Sequence, residues 1–414
     1  MINITRLWTG EEQPADNIRY GLKQGHGHGR GSSTADCLPS SSRVRKPIVV
    51  WNITRTCNLK CVHCYADSDA AHYDGELSWE QCQQVIDDLA DYEANALLLS
   101  GGEPLVHPML PKILEKATGR GLKVTISTNG TRITPALAAL FKKLGVAYVG
   151  ISLDGIGEIH DKFRGVKGAF EGALRGFRLC EEVGQKTGLR LTLTRNNVQC
   201  MEQILDFIEE QGIQRVCFYH LVPTGRGVDV ASLKPEEARA AMDMLIARAE
   251  KWHKNGERRE LLTVTQPADG IYLLLRQQRE GSPLAAKTLE LLQWNGGGAN
   301  SSGRGIANID PQGKVHPDQF WQAVTLGNVK ENKFSEIWEA QAGEASSQIE
   351  EIRGSSDPLE RQKKLTGRCA RCVHFALCGG GYRTRAAFAN GNWYGSDPGC
   401  YLTEEEITTP INLD

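Results

Sequence analysis

Short apolar runs alternate with amphipathic stretches along the first half of this chain, and this alternation constrains the fold more than any other feature. Strands separated by helices pair in parallel through right-handed crossovers. Six such units predict an α/β fold with a partial barrel, in which chemistry belongs at the carboxyl ends of the strands. The predicted strands are Ile48–Ile53, Ala96–Leu99, Leu122–Ser127, Ala147–Leu153, Leu189–Thr194 and Val216–Leu221. The predicted helices between them are Trp79–Tyr92, Met109–Arg120, Pro135–Leu144, Ala169–Val183 and Met201–Glu210.

The 414 residues are enough for two domains. Residues 1–46 are interpreted as an N-terminal extension, and 22–46, which carry a Gly-His-Gly-His-Gly run, are predicted to be flexible. Residues 47–255 are predicted to form the partial barrel, with a last helix over 234–255. After about 256 the alternation stops, and 256–414 predict a small α+β domain with a β-hairpin at Ile306–Pro317.

Charge and hydropathy exclude several classes of function. The formal net charge is -2, so there is no broad electrostatic case for nucleic-acid binding. No uninterrupted apolar run approaches the roughly 20 residues that a membrane span needs. The N-terminus lacks the charged-then-apolar pattern of a signal peptide, so the sequence predicts a cytoplasmic protein without a membrane partner.

Three of the twelve cysteines, Cys57, Cys61 and Cys64, follow the first predicted strand with Cys-x3-Cys-x2-Cys spacing. In a large chain predicted to be cytoplasmic, such grouping favours metal ligation over disulfides. Three thiolates can hold three irons of a [4Fe-4S] cluster and leave one iron open. An open iron can chelate S-adenosylmethionine, whose reductive cleavage gives a 5′-deoxyadenosyl radical. A zinc site would need a fourth ligand, for which His63 or His72 is available.

Small polar motifs end the next three predicted strands. Gly101-Gly102-Glu103 follows the second strand, where the glycines would let the backbone approach a ligand and the carboxylate could accept from the ammonium of S-adenosylmethionine. Ser127-Thr128-Asn129 ends the third strand and suits ribose hydroxyls, and Ser152 begins the motif that ends the fourth. Each motif alone also fits an ordinary turn, but together they indicate an S-adenosylmethionine pocket.

A second group, Cys369-x2-Cys372-x5-Cys378-x21-Cys400, offers four thiolates near the C-terminus. Four thiolates can saturate a second, auxiliary [4Fe-4S] cluster that serves electron transfer or structure. A structural zinc with the same ligands fits the spacing too, as does a substrate-binding cluster in which one cysteine does not ligate. The remaining cysteines are scattered and are interpreted as packing or surface residues: Cys37, Cys82, Cys180, Cys200 and Cys217.

Residues 47–225 resemble the core of the radical S-adenosylmethionine superfamily. The resemblance implies a cluster at the first cysteine group, contact with the amino group near Gly101–Glu103, and ribose or carboxylate contacts from Ser127, Asn129, Ser152 and Arg164. The second group resembles half of the SPASM auxiliary-cluster module. Because His316-Pro317-Asp318 and Tyr382 stand where cysteines would be expected, the resemblance implies one auxiliary cluster and not two.

Within the superfamily, the stretches Pro47–Cys64, Ile309–Trp321 and Cys369–Gly380 resemble enzymes of tetrapyrrole modification. One group is the 12,18-didecarboxysiroheme deacetylases, and its sister group acts in the route to heme d1. The opening residues 1–7 and Ala15–Gly21 look more like the deacetylases, although the insert at 22–46 departs from their pattern. The resemblance implies loss of two acetate side chains to give Fe-coproporphyrin III, with a ferredoxin or flavodoxin as electron donor.

A polycarboxylate substrate predicts cations at the barrel mouth, because arginine binds carboxylates through two parallel hydrogen bonds. The candidates are Arg55, Arg195, Arg226 and Arg304. His220 and His316 could ligate the tetrapyrrole iron, and Gly296–Gly298 could permit close approach of the macrocycle. Each of these residues also fits an ordinary surface, packing or loop position. Two rival functions stay open, namely a radical enzyme that modifies a peptide and a non-catalytic iron–sulfur carrier.

Overall fold

One mixed sheet organises the protein. The computed structural model describes residues 1–13, 16, 46–295, 302–340, 344–355 and 357–411. The strands in this part are β1 (Ile2–Asn3), β2 (Ile48–Asn52), β3 (Ala96–Ser100), β4 (Val124–Thr128), β5 (Tyr148–Ser152), β6 (Thr187–Leu193), β7 (Arg215–His220), β8 (Glu260–Val264), β9 (Ile306–Ile309), β10 (Lys314–His316) and β11 (Gly327–Asn328). Their spatial order is β1-β8-β7-β6-β5-β4-β3-β2-β9-β10-β11. Strands β2 to β8 run parallel in chain order, so the predicted α/β fold is confirmed.

Helices follow the strands as crossovers and continue into the C-terminal part. Those up to residue 295 are Ile4–Thr9, Trp79–Asp91, Leu110–Gly119, Pro135–Lys143, Glu158–Arg164, Ala169–Glu182, Met201–Glu210, Pro235–Lys254, Ala268–Arg279 and Ala285–Asn295. Those beyond residue 302 are Phe334–Trp338, Glu344–Arg353, Pro358–Gln362, Arg368–Arg371, Phe375–Cys378, Arg383–Asn390 and Glu404–Thr408. Within the described ranges, no helix is long and apolar enough to span a bilayer.

Successive side chains on each parallel strand point to opposite faces of the sheet. On β6, Leu189, Leu191 and Leu193 are buried in the main hydrophobic core beneath the helices. The alternate residues Arg190 and Thr192 line a cavity inside the barrel. The same period of two holds on β4, where Val124 and Ile126 join the core and Thr125 and Ser127 face the cavity. On these two strands, therefore, the apolar side chains face the helices and the polar side chains face the cavity.

The sheet extends further than the sequence predicts. Strand β8 pairs in parallel with β7, so the expectation that the alternation stops after about 256 was wrong. The strand was missed because its five residues directly follow the charged stretch Glu257–Arg259. The predicted hairpin is confirmed, and its strand β9 pairs in parallel with β2. The sheet thus joins both halves of the chain, and the division into domains at 46 and 255 stays a prediction.

Some of the sequence predictions fall outside the described residues. These are residues 22–45 of the N-terminal segment, Cys37 within it, and the glycine run 296–298.

The N-terminal segment closes the free edge of β8. Strand β1 pairs antiparallel with β8, and the buried Thr5 hydroxyl donates to the carbonyl of Arg259 at 3.0 Å. The same hydroxyl accepts from the backbone N–H of Leu261 at 3.0 Å. One side chain therefore satisfies two backbone groups of the edge strand, which would otherwise lie exposed to pairing with another chain.

We predict that Thr5→Val lowers the free energy of unfolding by about 1–3 kcal/mol, because a buried N–H and a buried carbonyl both lose their partner. The measurement is a urea titration followed by far-ultraviolet circular dichroism. The control is Thr118→Val, whose hydroxyl bonds within its own helix to Leu114, and which should shift the free energy by about 0.5 kcal/mol or less. Equal losses in the two variants would contradict the role given to Thr5.

Candidate active site

A single large cavity of about 2150 Å³ occupies the barrel interior. It runs from the loop of the first cysteine group, at the carboxyl end of β2, past the inward-facing residues of the parallel strands. Its volume exceeds the roughly 300–1,000 Å³ of an ordinary small-molecule pocket. The cavity has room for more than one small ligand, as a cofactor beside a bulky substrate would require.

The first cysteine group lines this cavity. Cys57 and Cys61 are buried, Cys64 is half-buried, and none of the three forms a disulfide. The backbone N–H of Leu59 donates to Cys57 Sγ at 3.4 Å, and that of Ser68 donates to Cys64 Sγ at 3.3 Å. Such donors stabilise sulfur that carries negative charge.

The electrostatics of the three thiols fit an iron–sulfur cluster. Burial raises the pKa of Cys57 to about 12, and repulsion from Cys61 and Cys64 adds to it. Burial also raises the pKa of Cys61, against the opposing effect of Arg164 beside it. Three neighbouring sulfurs that repel one another as thiolates require cations to hold them together, and the irons of a cluster meet that requirement.

Arg226 fixes the cysteine loop and does not face a substrate. Its Nε donates to the carbonyl of Cys61 at 2.8 Å, and its Nη2 donates to the carbonyl of Ser68 at 2.6 Å. Its Nη1 pairs with Asp67 at 2.8 Å. Arg55 also contacts Asp67 and lies over the ring of Tyr73. The prediction that Arg226 and Arg55 offer free cations at the barrel mouth was therefore wrong, since both charges are used within the loop.

The two glycines after β3 pack against the backbone that leads into this loop. Gly101 has a φ of +138°, and a Cβ there would lie 2.3 Å from the carbonyl of Thr54. A Cβ on Gly102 would lie 2.4 Å from the carbonyl of Thr56. Both glycines also line the cavity. The glycines thus allow the end of β3 to approach the segment before Cys57, and their approach to a ligand stays a prediction.

Glu103 ties neighbouring strand ends together. Its buried carboxylate accepts from the Thr128 hydroxyl at 2.6 Å, from the backbone N–H of Asn129 at 2.7 Å, and from that of Leu105 at 3.0 Å. Burial raises its pKa. Because protein donors engage both carboxylate oxygens, this side chain links β3 to β4, and its contact with the ammonium of S-adenosylmethionine stays a prediction.

The other predicted cofactor contacts all line the cavity. The Ser127 hydroxyl accepts from Arg190 at 2.8 Å, and Asn129 donates to Asn58 at 3.0 Å. Ser152 stands at the end of β5. Arg164 donates to Cys61 Sγ at 3.5 Å and forms a buried ion pair with Asp154. The fold therefore brings Ser127, Asn129, Ser152 and Arg164 to one face of the barrel beside the cysteine loop, and their roles as ligand contacts stay predictions.

The second cysteine group also converges. Cys369, Cys372, Cys378 and Cys400 line one small pocket in the C-terminal part. Burial raises the pKa of Cys378 well above its ordinary value, and repulsion from the other three cysteines adds to it. The backbone N–H of Gly381 donates to Cys378 Sγ at 3.1 Å. Four mutually repelling sulfurs in a buried pocket are a donor set that fits a cluster.

Both cysteine groups differ from a site for one metal ion. Among the described residues, no three His, Cys, Asp or Glu side chains converge closely enough to hold a single ion. A four-iron cluster has a looser requirement, because each thiolate binds a different iron and the sulfurs stay apart across the cluster.

The positions where a second auxiliary cluster would need cysteines carry a hydrogen-bond network. Tyr382 donates its hydroxyl to Asp318 at 2.9 Å, and Ser302 bonds to the same carboxylate. Thr384 contacts that carboxylate at 3.4 Å, and the backbone N–H of Phe320 donates to it at 2.8 Å. Asp318 is fully buried, and its acceptors are met by protein donors.

Two further predicted cations differ in their surroundings. Arg195 lies outside the cavity, is 43% exposed and pairs with Glu237 at 3.2 Å, so its predicted place at the mouth was wrong. Arg304 does line the cavity and donates to the carbonyls of Arg353, Gly354 and Ser355. The cation that sequence analysis missed is Arg190. Its signal was a charged residue in the middle of an alternating strand, Leu-Arg-Leu-Thr-Leu.

The two candidate iron-binding histidines also differ. His220 lines the cavity, and its Nε2 lies 3.1 Å from Asp269, which in turn accepts from the Tyr401 hydroxyl at 2.8 Å. His316 has both ring nitrogens engaged, one by the carbonyl of Val324 at 2.7 Å and the other by Asp310 at 3.5 Å. His316 is 2% exposed and is therefore a packing residue and not an iron ligand.

We predict that Arg226→Gln weakens retention of the first cluster, because two carbonyls and one carboxylate of the cysteine loop lose their cation. After anaerobic reconstitution and desalting, the iron content should fall by up to about four irons per chain. Arg195→Gln, which removes an exposed arginine, should keep the iron of the wild type. If the Arg226 variant keeps its full iron content but binds the substrate more weakly, Arg226 binds the substrate and does not hold the cysteine loop.

Comparisons with known proteins agree with this geometry. The model of the radical SAM superfamily matches residues 51–208, and that of an iron–sulfur cluster-binding domain, SPASM, matches residues 301–373. The Fe-coproporphyrin III synthase of Methanosarcina barkeri is 44% identical over 409 residues, covering 98% of this chain and 99% of that protein. The Pre-heme d1 synthase of Dinoroseobacter shibae is 40% identical over 374 residues, covering 89% of each.

Solved structures show the same fold. Streptococcus suis SuiB, crystallised with S-adenosylmethionine, has a TM-score of 0.66 over 87% of this chain and 78% of that chain, at 16% identity. The family matches confirm the predicted cofactors, namely a [4Fe-4S] cluster with S-adenosylmethionine in the barrel and iron–sulfur binding in the C-terminal part. This chain therefore belongs to the radical S-adenosylmethionine superfamily, in the SPASM-containing family of the Methanosarcina and Dinoroseobacter enzymes.

Proposed function

We propose that this enzyme removes the two acetate side chains of 12,18-didecarboxysiroheme and so forms Fe-coproporphyrin III. The observation that carries the proposal is the 44% identity, over nearly the whole of both chains, to a protein named Fe-coproporphyrin III synthase. The barrel cavity supports it, because about 2150 Å³ suits a macrocycle beside S-adenosylmethionine.

The charge of the cavity wall also supports an anionic substrate. Ten basic and six acidic residues line the cavity in the described part of the chain, although the whole chain has a net charge of -2. A local excess of positive charge raises the concentration of anionic ligands near a cleft. Basic residues therefore outnumber acidic residues along the cavity wall, and this excess favours a polycarboxylate substrate.

The chemistry divides between the bound groups and the chain. When bound, the first cluster and S-adenosylmethionine supply a 5′-deoxyadenosyl radical that abstracts hydrogen from the substrate. In our proposal Cys57, Cys61 and Cys64 hold the cluster and leave one iron open, while Arg164 stabilises the charge beside Cys61.

His220 is our candidate for the ligand of the tetrapyrrole iron. Metal-binding histidines commonly donate their second ring nitrogen to a carboxylate, which fixes the ring orientation. The contact between His220 and Asp269 has that form, and Tyr401 in turn orients Asp269. This arrangement supports His220 and leaves His316 without a comparable role.

The proposal includes one auxiliary [4Fe-4S] cluster at Cys369, Cys372, Cys378 and Cys400. The bond between Tyr382 and Asp318 supports that count, because it fills the positions where a further cluster would need thiolates. We assign the reaction to the cytoplasm, with a ferredoxin or flavodoxin as electron donor and no nucleic-acid or membrane partner.

Incubation with 12,18-didecarboxysiroheme, S-adenosylmethionine and a reductant should yield Fe-coproporphyrin III, because the proposed reaction removes two acetate side chains. Product analysis by mass spectrometry is the measurement. A Cys57/Cys61/Cys64→Ala variant should return the substrate unchanged. Loss of two propionates would instead favour a Pre-heme d1 synthase activity. If the wild type leaves the tetrapyrrole unchanged and converts a peptide instead, the proposal is wrong and the enzyme modifies peptides.

Iron and sulfide analysis tests the cluster count. The wild type should carry about eight irons per chain, and the Cys57/Cys61/Cys64→Ala variant about four, because each cluster holds four irons. Cys180→Ala removes a buried cysteine outside both groups and should keep the full count. If the wild type has about four irons and the triple variant has none, the chain has no auxiliary cluster. If the wild type has about twelve irons, the chain has two auxiliary clusters.

A further inference from the structure

Arg190 is a cation placed inside the barrel at the middle of β6. It lines the cavity, and its register partner on β5 is Ser152. Gly150 on β5 makes room for it, because a Cβ at that position would lie 2.3 Å from Arg190 Nε. Strand β6 thus carries the inward-facing guanidinium, and β5 has a glycine where a larger residue would collide with it.

The guanidinium is only partly satisfied by the protein. Its Nη1 donates to the Ser127 hydroxyl at 2.8 Å, and its Cζ lies about 6 Å from the ring centres of Tyr148 and Tyr219. Its Nε is buried without a hydrogen-bond partner. No carboxylate in the described part of the chain forms an ion pair with it, whereas the nearby Arg215 pairs with Glu260 at 3.1 Å.

A second unsatisfied donor lies on the same wall. The Tyr148 hydroxyl is buried and has no hydrogen-bond partner. A Cβ on Gly188 would lie 2.5 Å from this hydroxyl, so glycine again leaves the space that the polar group occupies. Buried polar groups are normally hydrogen-bonded, and a desolvated cation without an anion is costly. Arg190 therefore lacks an anion, and the Tyr148 hydroxyl lacks a hydrogen-bond acceptor.

We propose that Arg190, together with Tyr148 on the neighbouring strand, is a subsite that binds one propionate side chain of the tetrapyrrole, an inference that rests on the proposed function. The planar guanidinium matches a carboxylate through parallel hydrogen bonds. Its hydrogen bond and its ring contacts are with residues of β4, β5 and β7. Arg164, by contrast, contacts Cys61 directly. We therefore assign Arg190 to the substrate carboxylate, whereas Arg164 lies directly beside the first cysteine group.

The methionyl carboxylate of S-adenosylmethionine has the same chemistry, so the test must separate the two sources. The probes are Fe-coproporphyrin III, its tetramethyl ester and S-adenosylmethionine, each titrated into the cluster-loaded holoenzyme. Tetrapyrrole binding is followed by the change in Soret absorbance, and S-adenosylmethionine binding by equilibrium dialysis, so neither readout needs turnover. The variants are Arg190→Gln, Arg190→Lys and the control Arg195→Gln, which removes an exposed arginine beyond the end of the same strand.

Arg190→Gln should weaken binding of Fe-coproporphyrin III by about 10- to 100-fold, the range for a lost hydrogen bond to a charged group. Arg190→Lys should weaken it less, because the charge remains while the fork is lost. Arg195→Gln should change it by no more than about twofold. The ester should bind equally to the wild type and to Arg190→Gln. It has no carboxylate, so the arginine has no charge to interact with in either protein.

Two results overturn the subsite. One is unchanged affinity for Fe-coproporphyrin III in Arg190→Gln, and the other is a loss of affinity for S-adenosylmethionine alone, which would assign Arg190 to the methionyl carboxylate. If the circular dichroism spectrum shows that Arg190→Gln does not fold like the wild type, the affinities of Arg190→Lys are compared with those of the wild type instead. A wild type that binds the porphyrin but leaves the acetates in place overturns the proposed function and not the subsite. A wild type that binds no porphyrin overturns both.

Discussion

The parallel pairing of β2 is the constraint on which the rest of the structure depends. This strand pairs with β3 on one side and with β9 on the other. Its carboxyl end leads directly into the first cysteine group, so the loop follows an interior strand of the sheet and not an edge strand. Because β9 belongs to the C-terminal half, the same strand also carries the auxiliary part beside the barrel. A change that displaced β2 would move the first cysteine group relative to the cavity and would break the pairing with β9.

The cysteine loop has little regular structure, and buried polar groups hold it in place. Arg226 binds carbonyls of the loop, and the glycines after β3 pack under the segment before Cys57. Glu103 then links β3 to β4 through three donors. Residues that suggest ligand contacts in sequence thus also act as supports in the structure. The two roles are compatible, because a cofactor pocket needs side chains whose own positions are fixed.

The order of strands and the two cysteine groups could be predicted from sequence, because apolar periodicity and thiolate spacing are local signals. The direction of individual side chains could not. Arg55, Arg195 and Arg226 were predicted to face the substrate because they follow strands, yet each charge pairs with an acidic residue distant in sequence. Arg190 was missed because a charge inside a strand indicates an inward-facing residue only when the sheet is known to enclose a cavity. Strand β8 was missed because five residues after a charged stretch give too short a pattern.

Tyr382 and Asp318 form a hydrogen bond at two positions where the resemblance to the SPASM module leads us to expect cysteines. A buried carboxylate needs hydrogen-bond donors or a cation around it, because burial without partners is costly. Here the hairpin and the segment after Cys378 are joined by a carboxylate that accepts from Tyr382, Ser302 and backbone N–H groups. Phe320 contacts the ring of Tyr382 on one side and that of Tyr65, next to Cys64, on the other. Through these contacts, Asp318, Tyr382 and Phe320 connect the auxiliary part of the chain to the first cysteine loop.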